Sequence, residues 1–217
     1  ACPPVSFRNG LIGAVEGDRW VVSLTGLFGD HAPTDREGFL QFAASLPEPD
    51  VADALAGAEL LSPIAVHKIP SQVRRHYERM ASFPDGLIVL GDAACCLSPA
   101  FAQGMTVAAL EAQLLGETLA AQAPGSLAGF SRRFQQQLAK LVDGPWQAAT
   151  GDDLQYKQTE GVRPPGLGLI NWYMGRVVRL SARDPYVQLR FLQVMHMLAP
   201  GPSLFEPRIL WRVLTAR

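Results

Sequence analysis

The chain has 217 residues, 48% of them apolar and 18% charged, with a formal net charge of −1. That balance excludes disorder as a description of the whole chain and allows a sizeable core in one large domain or two small ones. With no Lys-rich stripe, nucleic acid is not the expected partner, and no apolar run of about 18 residues is present to span a membrane. The opening Ala1-Cys2-Pro3-Pro4 is neither a signal peptide nor an initiator context, so the sequence reads as starting partway through something longer.

In chain order, residues 11–16 and 19–25 are short runs rich in Val, Ile, Leu and Trp. Gly17-Asp18 between them is a two-residue turn signal, which predicts a β-hairpin. Thr34, with Glu37 three residues on, predicts a capped helix start, and apolar residues from Phe39 to Leu46 follow at helical spacing. A second short helix is expected over 51–58, then an extended run over 64–69 and a strand over 72–80. Residues 87–90, Leu-Ile-Val-Leu, end in Gly91-Asp92 and read as a strand buried on both faces. Beyond Gln103 the pattern is helical: 103–122, 127–142, 168–182, 185–198 and 207–214. Asp184-Pro185 and Glu206-Pro207 both look like a cap followed by a first-turn proline.

Cys2, Cys95 and Cys96 make a poor disulfide framework, so the thiols are read as reduced and the protein as cytoplasmic. The four His are scattered, and no metal-ligand spacing is present. Charge is uneven. Residues 163–217 carry eight Arg, no Lys and two acids, a formal +6. Arg176, Arg179 and Arg183 share one helical face, with Leu169, Trp172, Tyr173 and Leu180 expected on others. The plainer reading is a solvated face or pairing with the acidic first part of the chain; the sharper one is contact with a membrane surface, expected to be weak, or with an acidic partner.

The segment that carries chemistry is 87–120, LIVLGDAACCLSPAFAQGMTVAALEAQLLGETLA. It predicts a buried strand, a sharp exit at Gly91, an acid at Asp92, a loop, and a long helix. Gly104, Ala108, Ala112, Gly116 and Ala120 form a small-residue stripe on that helix, suited to close packing. The free N–H groups at the helix start suit an anionic or electron-rich ligand.

This segment resembles the second flavin-contact motif of the FAD-dependent aromatic-hydroxylase-like monooxygenases. The residues that carry the resemblance are Gly91-Asp92-Ala93, Pro99, Gln103-Gly104-Met105 and the helix through Glu111-Ala112. Upstream, Arg75-His76-Tyr77-Glu78-Arg79 and Gly17-Asp18-Arg19-Trp20 look like the bacterial, squalene-epoxidase-like branch. The resemblance implies FAD as cofactor and NAD(P)H as reductant, with O2 used to epoxidise or hydroxylate an apolar small molecule. It implies that Gly91 and Asp92 bind the cofactor, Asp92 through a ribityl hydroxyl. Pro99 and Gln103 would lie at the flavin, and backbone N–H groups near Gly104 and Met105 at its N1–C2=O edge. No catalytic side chain is implied, because the cofactor does the oxygen chemistry. Trp20 and Phe101 are candidate pocket residues, Trp20 more readily a core residue. Ala102 stands where the family commonly has Gly.

The implied fold is α/β, as an α+β fragment. It comprises a substrate-binding sheet domain over 1–86, the C-terminal part of an FAD-binding domain over 87–125, and a helical C-terminal cap over 126–217. No strand–GxGxxG–helix unit for the FAD pyrophosphate is found; Gly166-x-Gly168 follows a Pro pair, not a strand. The expected partner is therefore a missing N-terminal FAD-binding portion of the same protein. Two other readings stand beside this one: a non-catalytic interaction module of the same fold, and a flavin-dependent polyprenyl reductase.

Overall fold

The structure, a computed structural model, describes residues 6–99, 102–122 and 125–216. These form seven α-helices and two small antiparallel sheets, a mixed α and β arrangement in which helix dominates. The chain divides into two compact units. One holds the residues up to Ile69 with Gln155–Glu160, and the other holds Pro70–Leu154 with the residues from Gly161 on. The boundaries expected at 86 and 125 are not the ones observed. Residues on both sides of 125, among them Val107 and Phe134, lie in one buried cluster.

The first unit is built on a hairpin. Strands β1 (Arg8–Val15) and β2 (Arg19–Gly26) pair in register from Arg8↔Gly26 to Val15↔Arg19. Three residues, Glu16, Gly17 and Asp18, close the turn rather than two, with Gly17 and Asp18 both at positive φ. At the open end, the Arg8 guanidinium grips Asp30 with bonds of 2.6 and 2.8 Å and lies 4.3 Å from the centre of the Phe42 ring. The bond from Arg8 holds the Asp30 carboxyl below its ordinary pKa. Gly26 must be glycine, because a Cβ there would lie 1.5 Å from the Asp30 carbonyl oxygen. Helix α1 (Arg36–Ala44) is capped by Asp35, not Thr34; its carboxylate accepts from the Gly38 N–H at 2.8 Å. Helix α2 (Asp50–Ala56) follows. Residues 64–69 form no ladder. Tyr156 packs with Phe7 and Phe28, and its hydroxyl donates to the Ser6 carbonyl.

Trp20 is 54% exposed, so it is neither a core residue nor in an enclosed pocket. It pairs with Ala14 near the turn, whereas Leu46 and Val51 cover the hairpin at Gly10, toward the other end.

In the second unit, only Val73–Arg74 (β3) of the expected 72–80 strand is paired, with Cys95–Cys96 (β4). A 3-10 turn over Tyr77–Arg79 replaces the rest. Residues 87–90 form no ladder either, and Leu87 is exposed. A strand needs a neighbour within about 4.8 Å, and none is present among the described residues. Side chains of the fourth helix serve this segment instead. The Gly86 N–H donates to Ser131 Oγ at 3.1 Å, and the Gln135 amide donates to the Val89 carbonyl at 2.8 Å.

Helix α3 is Gly104–Ala120 and α4 is Phe130–Asp153. The latter runs well past the expected end at 142, through Gly144-Pro145. A proline there removes one backbone bond, but Leu138, Val142 and Ala149 stay buried on both sides of it and carry the helix through. Cys95 is buried and its thiol pKa is pushed up to about 11 by that burial, which makes it an inert apolar side chain; Cys96 is half-buried, and both are free.

Helices α5 (Leu167–Ser181), α6 (Pro185–Met195) and α7 (Pro207–Thr215) fall close to expectation. Tyr173, Val177, Val187, Ile209 and Val213 make their shared core. Asp184 caps α6, accepting from the N–H groups of Tyr186 and Val187. Glu206 precedes Pro207 but makes no cap bond; its carboxylate accepts from the Tyr186 hydroxyl.

Candidate functional site: the Gly91 turn and the start of α3

Gly91 has φ +64°, a conformation that costs other residues roughly 1–2 kcal/mol. It opens a single 3-10 turn, Gly91–Ala93, closed by the Ala94 N–H donating to the Gly91 carbonyl at 2.9 Å. The Gly91 N–H donates to the Glu111 carboxylate, two turns into α3. Glu111 has no exposed surface, and its other oxygen has no partner among the described residues. Burial raises the Glu111 pKa, the Gly91 N–H opposes that rise, and the Asp92 charge adds to it. Seated in this way, the turn leaves Asp92 exposed to solvent.

At the helix start, Ala102 has φ +51°. Its side chain therefore sits on backbone that glycine adopts freely. Gln103 occupies the cap position but makes no cap bond; it is buried, and its amide donates to the Met195 carbonyl at 3.1 Å. The first α3 bond runs from the Val107 N–H to the Gln103 carbonyl. Gly104, Met105 and Thr106 precede it, so their N–H groups have no acceptor within the helix. Met105 is 87% exposed, and a Cβ at Gly104 would meet nothing within 4 Å.

The structure thus brings Gly91 and Asp92 onto α3, with Gly104 and Met105 at its open N-terminus. Pro99 is exposed beside them in sequence, while Gln103 turns inward to tie α3 to the end of α6. The small-residue stripe is not a packing face here: Ala112, Gly116 and Ala120 are exposed. Trp20 belongs to the other unit, and Phe101 lies outside the described residues. An open polar groove of about 410 Å³, lined by Arg74, Glu78, Lys140 and Asp143 among others, includes none of the site residues. Sequence reasoning gave Glu111 no role beyond motif matching. Its signal was a lone acid within the apolar stretch Val107–Leu115 of the helix.

No family model matches the chain. The chain is 26% identical over 189 residues to Protein Rv3254 of Mycobacterium tuberculosis. The match takes in 84% of this chain but 39% of that protein's length.

Two outcomes are expected. Ala102→Gly relieves a left-handed alanine worth about 1–2 kcal/mol against a glycine entropy cost of about 0.5–1. Urea unfolding should therefore show a gain of about 0.5–1 kcal/mol; a loss would mean the alanine is not strained. Glu111, with its folded pKa above the ordinary 4.5, favours the folded state most below pH 4.5, and that contribution fades as pH rises through the raised value. Glu111→Gln keeps an acceptor for Gly91 and removes the titration, so thermal melts should show a flatter decline in stability above pH 4.5 than the parent chain. An unchanged slope would contradict the assignment.

Proposed function

We propose that the chain is a portion of an FAD-dependent monooxygenase that uses NAD(P)H and O2 to epoxidise or hydroxylate an apolar organic substrate. The observation that carries this reading is the Gly91–Ala93 turn held on α3 by Glu111, with exposed Asp92 on the turn and an uncapped helix start at Gly104. These groups fit the flavin part of FAD. An exposed carboxylate is an acceptor for ribityl hydroxyls. Unbonded N–H groups at a helix start are preorganised donors that would face the electron-rich N1–C2=O edge of a flavin. When bound, FAD would supply the redox and O2 chemistry. Pro99 and Met105 would border the ring, and the cofactor rather than a side chain would act on the substrate.

The unpaired residues 87–90 support the second half of the reading, a sheet contributed by an FAD-binding portion of the same protein. A non-catalytic interaction module is the competing reading. The left-handed Ala102 and the lack of a pyrophosphate-binding motif favour it.

Alone, the chain should bind FAD too weakly to stay yellow through gel filtration. Joined to a strand–GxGxxG–helix portion, it should retain flavin. Asp92→Ala should then weaken FAD about tenfold, the worth of one hydrogen bond to a charged group. NAD(P)H consumption that depends on O2 and substrate would separate an oxygenase from a reductase. A joined protein without flavin, or one indifferent to Asp92→Ala, would refute the reading.

A further inference from the structure

The Arg-rich face of α5 does not behave as a plain solvated face. At 3.6 residues per turn, Leu169, Trp172, Arg176 and Arg179 of α5 fall within roughly 80° of arc, and Arg183 lies in the turn just past the helix end. Trp172 therefore shares the arginine face rather than lying on another. The Arg176 guanidinium sits 5.4 Å from the centre of its ring and donates to the Val213 and Ala216 carbonyls at the end of α7. Those bonds hold the end of α7 against Arg176, and Trp211 and Leu214 of α7 are themselves exposed. On α5, exposed Leu169 and Trp172 thus share a surface with the arginines.

The charges on this surface are not balanced locally. Residues 163–217 hold two acids, and both are paired: Asp184 with Arg212, and Glu206 with Arg190 and the Tyr186 hydroxyl. Arg179 and Arg183 are exposed and have no carboxylate partner among the described residues. Exposed Trp and Leu next to unpaired Arg is the chemistry of an interfacial helix: the apolar groups enter the headgroup boundary and the cations meet anionic lipids. Among the described residues, no helix is long and apolar enough to cross a bilayer.

We propose that the α5 face and the end of α7 dock on an anionic lipid surface, lying on it rather than spanning it. This does not rest on the flavin reading. The test is co-sedimentation of the 217-residue chain with phosphatidylcholine vesicles, with and without about 30% phosphatidylserine. Binding should require the anionic lipid and fall with added salt. Arg179→Glu with Arg183→Glu should weaken it at least about tenfold while the chain stays folded with a slightly lowered melting temperature, since neither side chain bonds to the described residues and both lie at the C-terminal end of α5. Trp172→Ala should weaken it as well, and brominated lipid should quench the tryptophan fluorescence of the bound parent chain. No sedimentation with either vesicle would overturn the proposal, as would equal binding by the charge-reversed variant or retention on DNA without vesicle binding.

Discussion

The second unit is organised around one hydrogen bond, from the Gly91 N–H to the buried Glu111 carboxylate. Placing an acid inside a protein is costly unless the environment bonds to it. Here the bond also has a steric condition, since residue 91 must take a left-handed turn. The turn leads directly into Cys95–Cys96, which pairs with Val73–Arg74. Arg74 then reaches Asp143 at 2.6 Å and the Ala139 carbonyl at 3.1 Å on α4. Turn, sheet and both long helices are thereby linked through polar contacts bordering one apolar cluster.

Several elements in each unit are open where elements of their kind usually have neighbours. A two-stranded hairpin is marginal without a further layer or strand, yet Leu11 and Val21 are exposed on one face of this one. Residues 87–90 have no ladder although Ile88, Val89 and Leu90 pack on the core, and Ala112, Gly116 and Ala120 on α3 face solvent. The chain spans 39% of the length of its curated relative. The proposed flavoprotein reading would place further polypeptide against these surfaces. The alternative occupant of the α5 face, a lipid surface, is distinguished by its unpaired arginines.

Local chemistry was legible in the sequence; partner-dependent structure was not. The hairpin declared itself through Gly17-Asp18, and α6 through Asp184-Pro185, because turns and caps are decided by residues near in sequence. The strand expected at 87–90 failed because a strand exists only with a neighbour. Helix α4 ran past its expected stop because buried Val142 and Ala149 outweighed Gly144-Pro145. Trp20 was expected inside on grounds of size, but its register places it at the uncovered end of the hairpin. Ala102 is the instructive case. Its departure from the resembled motif marked a position needing glycine-like backbone, and that is the conformation it has. Ser131 and Gln135 gave no sign of bonding to a distant backbone, because that pairing arises only in the fold.

The central claim is that the Gly91 turn and the start of α3 form one receptive face for a flavin. The most direct measurement is an amide NMR titration of the chain with riboflavin, which carries the ring and ribityl chain without the pyrophosphate. Shifts concentrated at Gly91, Asp92, Ala93, Gly104, Met105 and Thr106 are predicted. No shifts, or shifts confined to residues away from both segments, would contradict the account.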